Sequence, residues 1–225
     1  RRHGATSGEV ADAFNITKPK ARDYVTILRD WLGTNPRTGE PHLPDARFAP
    51  AAAIRDMPVY QVLDLLTDVD LFRRLRARGQ ARGGQEGIAD LKTALRLVEG
   101  RPFDHSADRE AGWTWLLDGD RLDEQAAVAI VDVAHTLATH ELAEGDLAAA
   151  REAAETATLA APDEEIPRID LAAISSAEGS AAEAHRIIGN EISNRTDDDG
   201  PPPELGDRTG QVLQHRNQWR KNQAS

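Results

Sequence analysis

Cysteine is missing from this 225-residue sequence, which excludes a disulfide framework and any thiolate metal centre. Aromatic residues make up only 4% of the chain. With alanine abundant, that composition favours closely packed helices over a β-sandwich. No apolar run approaches the roughly 18 residues of a membrane-spanning helix, and no secretory signal is present. The sequence is therefore expected to make no direct membrane contact and to lie in the cytoplasm. Positive charge is also scarce, with 27 Lys and Arg against 38 Asp and Glu and a net charge of −11. A body of that sign is repelled by nucleic acid.

What charge reversal there is lies near the start. Residues 1–47 hold eight Lys and Arg against six Asp and Glu, whereas the rest holds nineteen against thirty-two. Any contact with DNA is thus expected from about the first fifty residues. The acidic remainder is the ordinary solubilising surface of a helical protein. The opening Arg1-Arg2-His3 carries no methionine, and the sequence is read as a piece of a longer chain.

Thr6-Ser7-Gly8-Glu9 has the Ser/Thr-x-x-Glu pattern of a capping box, which starts a helix with Val10, Ala13 and Phe14 on one face. Asn15 suits a sharp left-handed stop. Thr17 caps a second helix, with Pro19 in its first turn. Ala21, Tyr24, Val25, Leu28, Trp31 and Leu32 recur at helical spacing through to Gly33, and Lys18, Lys20, Arg22, Thr26 and Arg29 are assigned to the outer face. This layout fits a helix-turn-helix whose second helix meets phosphates and base edges. It fits a solvated helical hairpin as well. Thr34 to His42 is dense in turn formers. It reads either as a wing with Arg37 at its tip or as an irregular surface loop. Val59 to Leu63 reads as a short strand or as the opening of a helix.

From Asp68 the pattern is helical almost throughout. Leu71, Phe72, Leu75 and Ala77 are expected inside, with Arg73, Arg74, Arg76 and Arg78 outside as a second basic cluster. Gly79 to Gly87 reads as a flexible connection. Further helices are expected over Ile88–Val98, Leu122–Leu142, from Asp146 to about Ala160, Ile166–Ala177 and Ala181–Ile192. Leu142 to Ala150 is echoed by Ala173 to Ala184 at about thirty-four residues, each passing through Glu-Gly and a small polar residue. That is tetratricopeptide-like logic, alongside the plainer reading of a self-contained bundle. Arg208 to Ser225 is a candidate last helix or a docking tail.

Catalytic and metal readings are poor. Asp104-His105-Ser106 has the residue types of a triad, but neighbours in sequence cannot form its hydrogen-bond chain. His135 and His140 are one residue too far apart to ligate from one helix face. Asp197-Asp198-Asp199-Gly200 lacks the alternation and terminal glutamate of a calcium loop. The sequence is read as non-enzymatic, with no cofactor and no metal.

Asp68-Val69-Asp70-Leu71-Phe72, the run from Gly87 to Phe103, Trp113-x-Trp115, Ala150 to Ala154 and Ala160 to Glu165 resemble the bacterial transcriptional activator domain. That domain belongs to the antibiotic-regulatory (SARP) class of actinobacterial regulators, and the resemblance spans roughly 68–215. Arg29 to Gly39 is similar to relatives in which the domain follows a membrane segment and a peptidoglycan-binding LysM region. The resemblance implies an all-α chain: a winged-helix-like half over 1–60, helical repeats over 61–195, and a linker with a C-terminal helix over 196–225. It implies DNA recognition by Lys18, Lys20, Arg22, Thr26 and Arg29 with Arg37 on the wing, and a protein partner or second copy on the repeats. A scaffold that binds no DNA, the cytoplasmic part of a cell-envelope protein tethered by an upstream segment, is the alternative.

Overall fold

Thr6 opens the first helix as the spacing predicts. Its hydroxyl accepts the Glu9 amide at 3.1 Å and the Glu9 carboxylate accepts the Thr6 amide at 2.8 Å, satisfying two donors that a helix start leaves orphaned. This helix, α1, spans Ser7–Ala13. In the computed structural model, which describes residues 3–104, 121–193 and 209–212, the chain divides into two compact units.

The first unit includes residues 3–67. Asn15 takes a left-handed backbone, φ 48°, and the Ile16 amide closes back on the Ala11 carbonyl at 2.9 Å. Helix α2 then runs Lys18–Leu32, with Thr17 as its cap and Gly33 at its end. After it the chain reverses. Asn35 donates to the Glu40 carbonyl and Gly39 to the Asn35 carbonyl, each at 2.8 Å, and a single antiparallel bridge joins Thr34 to Pro41. Helix α3 is the short Pro50–Arg55. The strand suggested for Val59 to Leu63 is reduced to one bridge, Tyr60 with Ala5, while the Val59 and Leu63 amides donate to the Ala46 and His42 carbonyls at 2.9 and 2.7 Å.

The small core of this unit holds Ala49, Ala51, Ala52 and Val59. An ion pair fastens its two ends, since Arg55 reaches Glu9 through both oxygens at 2.9 and 3.1 Å. The Arg55 hydrogen bonds, with the amide of Thr6, hold the Glu9 carboxyl down from its ordinary 4.5 to about 2. A lowered carboxyl stabilises the fold above its unfolded value and loses that contribution as pH falls through the folded one. Glu9→Gln is therefore expected to flatten the acid limb of unfolding between pH 4.5 and about 2. Circular dichroism melts across that window check this, and a limb as steep as in the parent chain contradicts it.

The second unit lies within Asp68–Asp104 and Asp123–Ser225. Helices α4 (Asp68–Arg82) and α5 (Gly84–Leu95) are separated by Gly83 alone. The stretch from Gly79 to Gly87 is thus mostly helix, not a flexible connection. Gly79 and Gly87 are buried where the two helices cross, and a Cβ built on Gly87 would stand 2.5 Å from the Gly79 carbonyl oxygen. Absence of side chains there serves close approach rather than looseness. Phe72 and Leu75 are buried as expected, while Ala77 faces outward and Gly79 takes the inner position.

Helix α6 is Leu122–Glu144, α7 Leu147–Ala160, α8 Ile166–Ala177 and α9 Ala181–Arg186, the last widening into a π-helical turn over Ile187–Ser193. The core joins Phe72, Leu91, Leu95, Ile130, Val133, Leu137 and Ile166 with a ladder of alanines on α6 and α7. The two Glu-Gly junctions fold alike. Gly145 and Gly179 have φ of 83° and 86°. The following amides of Asp146 and Ser180 reach back five residues, to Glu141 and Ser175, at 2.9 and 2.8 Å. Such a bond from beyond a left-handed glycine is how a helix end satisfies its last carbonyls. Residues 209–212 form a helical turn whose Val212 packs on the core; Leu213 and Trp219 of the suggested tail helix lie outside the described residues. The described residues are mostly helical, and only isolated bridges take the place of a sheet among them.

Candidate nucleic-acid and partner interface

On α2 the buried positions are Ala21 and Val25, which fixes the direction of the core. At about 100° per residue, Lys20 lies on the flank that carries Tyr24, Ile27 and Trp31, roughly 200° around from Arg22. The five positions assigned to one outer face are therefore split between two. Lys18, Lys20 and Arg22 share instead the N-terminal end of the helix, where all three are exposed. No acidic residue occupies that first turn. Among the described residues no ion pair engages these cations. Lys18 lies across Gly8 of α1, and the Lys20 ammonium sits 5.6 Å from the centre of the Tyr24 ring.

Arg29 is placed differently. Its guanidinium donates to the carbonyls of Leu43 and Pro44 at 2.8 and 3.3 Å, clamping the segment after the reversal onto α2. Arg29→Ala leaves those carbonyls without a donor and is expected to destabilise the first unit by about 1–3 kcal/mol. Urea unfolding measures it; no loss of stability contradicts the clamp. The Thr26 hydroxyl, assigned to contact bases, donates to the Arg22 carbonyl at 3.0 Å. Arg37 stands exposed in the reversal, its amide held by the Asn35 side chain at 2.9 Å. The Asn35 amide group also donates to Asp64 at 3.2 Å.

Half of the stripe expected to bury on α2 is outside. Trp31 is 80% exposed, Tyr24 50% and Leu28 40%, and Ile27, 64% exposed, lies among them. Sequence periodicity identifies an apolar flank but cannot tell which of two adjoining flanks, Ala21/Val25 or Tyr24/Ile27/Trp31, receives the neighbour. Asp23 and Asp30 are exposed beside the stripe.

In the second unit half of the basic cluster on α4 is used internally. Arg76 pairs with Asp132 at 3.0 Å. Arg78 holds both oxygens of Asp90, whose carboxyl is lowered by that hydrogen bonding. Arg73 and Arg74 stay exposed. Lys92 meets the buried Glu141 at 2.9 Å. His135 faces the buried Asp170 at 3.0 Å, a pairing between α6 and α8 that the sequence spacing does not disclose. A cleft of about 240 Å³ is lined by Arg151, Ser175, Glu178 and Arg186. Its charges are already matched, Arg151 by Glu178 and Arg186 by Glu183.

Among the described residues no cluster of three His, Asp or Glu is placed to hold a metal ion, and no helix is long and apolar enough to cross a membrane. Of the three residues weighed as a triad, His105 and Ser106 lie outside the described residues, as do Trp113, Trp115 and the Asp197 to Gly200 run. No family model, curated protein or solved structure matches the chain.

Proposed function

We propose that the chain is a transcription-regulator module in which residues 6–47 dock end-on against duplex DNA and the helical repeats of 68–193 carry a protein partner. The observation that carries this reading is the grouping of Lys18, Lys20 and Arg22, exposed and engaged by no ion pair among the described residues, around the start of the second of two tightly turned helices. Helix-turn-helix readers present the first residues of their second helix to the groove, where cations and the helix N-terminus both favour phosphate. The reversal that follows the other end of α2 leaves Arg37 exposed, which supports a separate, wing-like contact. Thr26 and Arg29 are withdrawn as base contacts, because their donors are spent on the backbone.

The matching Glu-Gly junctions, 34 residues apart, support stacking of the tetratricopeptide kind in the second unit, and with it the resemblance to the activator-domain family. No catalytic role, cofactor or metal is assigned, and the cytoplasm is the compartment this reading requires. A labelled random-sequence duplex titrated with the intact chain at low salt tests it by fluorescence anisotropy. Saturable binding is expected, and an unchanged signal overturns it.

A second reading, a partner-binding scaffold that ignores DNA, is favoured by one observation, the outward Tyr24/Ile27/Trp31 stripe on the same helix. In that case the anisotropy stays flat while a protein still binds.

A further inference from the structure

The first unit buries mostly small apolar side chains, alanines and valines with Leu43 the largest among them. Tyr24, Ile27, Leu28 and Trp31, by contrast, follow one another along α2 at spacings of three and four and are all exposed. A continuous stripe of this kind on a helix with charged edges is an interaction surface rather than scattered surface hydrophobicity. The charges at its two ends say what fits it. Lys20 stands at one end and Asp30 at the other, about 15 Å apart along the helix.

We propose that α2 pairs antiparallel with α2 of a second copy of this chain. A two-fold axis crossing the stripe midway between Val25 and Thr26 sets Lys20 of one copy level with Trp31 and Asp30 of the other, and Tyr24 level with Ile27. Isologous pairing of this kind brings each residue against its complement twice. The Lys20 ammonium leaves the face of its own Tyr24, 5.6 Å away, for the partner's indole and carboxylate, both attractive to a cation. Asp23, on the same edge, lies between the two ion pairs. Two aromatic and two aliphatic side chains bury roughly half of the about 800 Å² per partner of a standard interface. The equilibrium is accordingly weak and dependent on concentration. The pairing requires no nucleic acid, but it draws on Lys20, which the proposed DNA contact also uses, and leaves Lys18 and Arg22 outside the dimer.

Sedimentation equilibrium of the intact chain without nucleic acid tests it. The expected result is a monomer–dimer equilibrium that Ile27→Asp weakens at least tenfold. Lys20→Glu and Asp30→Lys are each expected to weaken it too, and the two together to restore it toward the parent value. All three residues are exposed, so thermal melts of the variants should match the parent. A monomeric parent at the highest concentrations, a dimer indifferent to Ile27→Asp, or failure of the charge exchange to restore association would each overturn the proposal. The first of these outcomes assigns the stripe to a different partner, the second assigns the dimer to another surface, and the third removes the Lys20–Asp30 pairing and with it the antiparallel register.

Discussion

Replacing Lys18, Lys20 and Arg22 together by alanine is expected to weaken duplex binding about a hundredfold and to leave folding intact. Charge-assisted hydrogen bonds to phosphate contribute about 1.5–3 kcal/mol each when well formed. Exposed cations on flexible stems give less, about 1 kcal/mol each, and every 1.4 kcal/mol is a factor of ten. Stability should hold because all three residues are exposed and make no ion pair among the described residues. Surface changes of that kind usually stay within about 0.5 kcal/mol. The same substitutions remove up to three phosphate contacts, so the dependence of affinity on salt should flatten by up to about 2.7 in log-log slope. Anisotropy titrations of parent and variant at several salt concentrations check both numbers. Unchanged affinity would remove α2 from the interface.

The other large effect concerns the helical half and is thermodynamic. Gly87→Ala puts a methyl group 2.5 Å from the Gly79 carbonyl oxygen, well inside van der Waals contact. The obstructing atom is backbone, so relief requires α4 and α5 to separate. Overpacking of this kind costs about 1–3 kcal/mol. Alanine's better helix propensity returns up to about 1 kcal/mol, and the strain is expected to outweigh it, leaving a net loss of about 1–2 kcal/mol. Gly84→Ala, where a Cβ meets open space but φ is 52°, serves as a control for backbone strain without a clash. Urea unfolding of the two variants separates these contributions. Full stability in the Gly87 variant contradicts the close crossing.

How far the sequence discloses this depends on which physical signal each element uses. Helix α8 falls on Ile166–Ala177, the bounds that periodicity and the Ala-Pro-Asp-Glu turn suggest. The capping box at Thr6 and the stop at Gly33 form as their residue types demand. These are local signals, settled within one turn of chain. The crossing of α4 and α5 is different, because glycine at 79 and 87 serves a neighbour that becomes visible only in three dimensions. Local propensity alone reads such glycines as a loop.

The candidate site divides along the same line. Lys18, Lys20, Arg22 and Arg37 are exposed where the sequence places cations. Arg29 is diverted because the carbonyls of Leu43 and Pro44, fourteen and fifteen residues on, need a donor. The stripe of α2 turns outward because Ala21 and Val25, smaller and adjacent, already take the inner position.

The salt dependence of duplex binding by the intact chain tests the central claim most directly, since sequence-independent phosphate contact releases counterions in proportion to the charges neutralised. With Lys18, Lys20, Arg22 and Arg37 engaged, alone or with one or two further basic residues, the logarithm of the association constant should fall against the logarithm of salt with a slope of about −3 to −5. A slope near zero, or no binding even at the lowest salt, would contradict DNA docking and leave the helical platform as a protein-binding module.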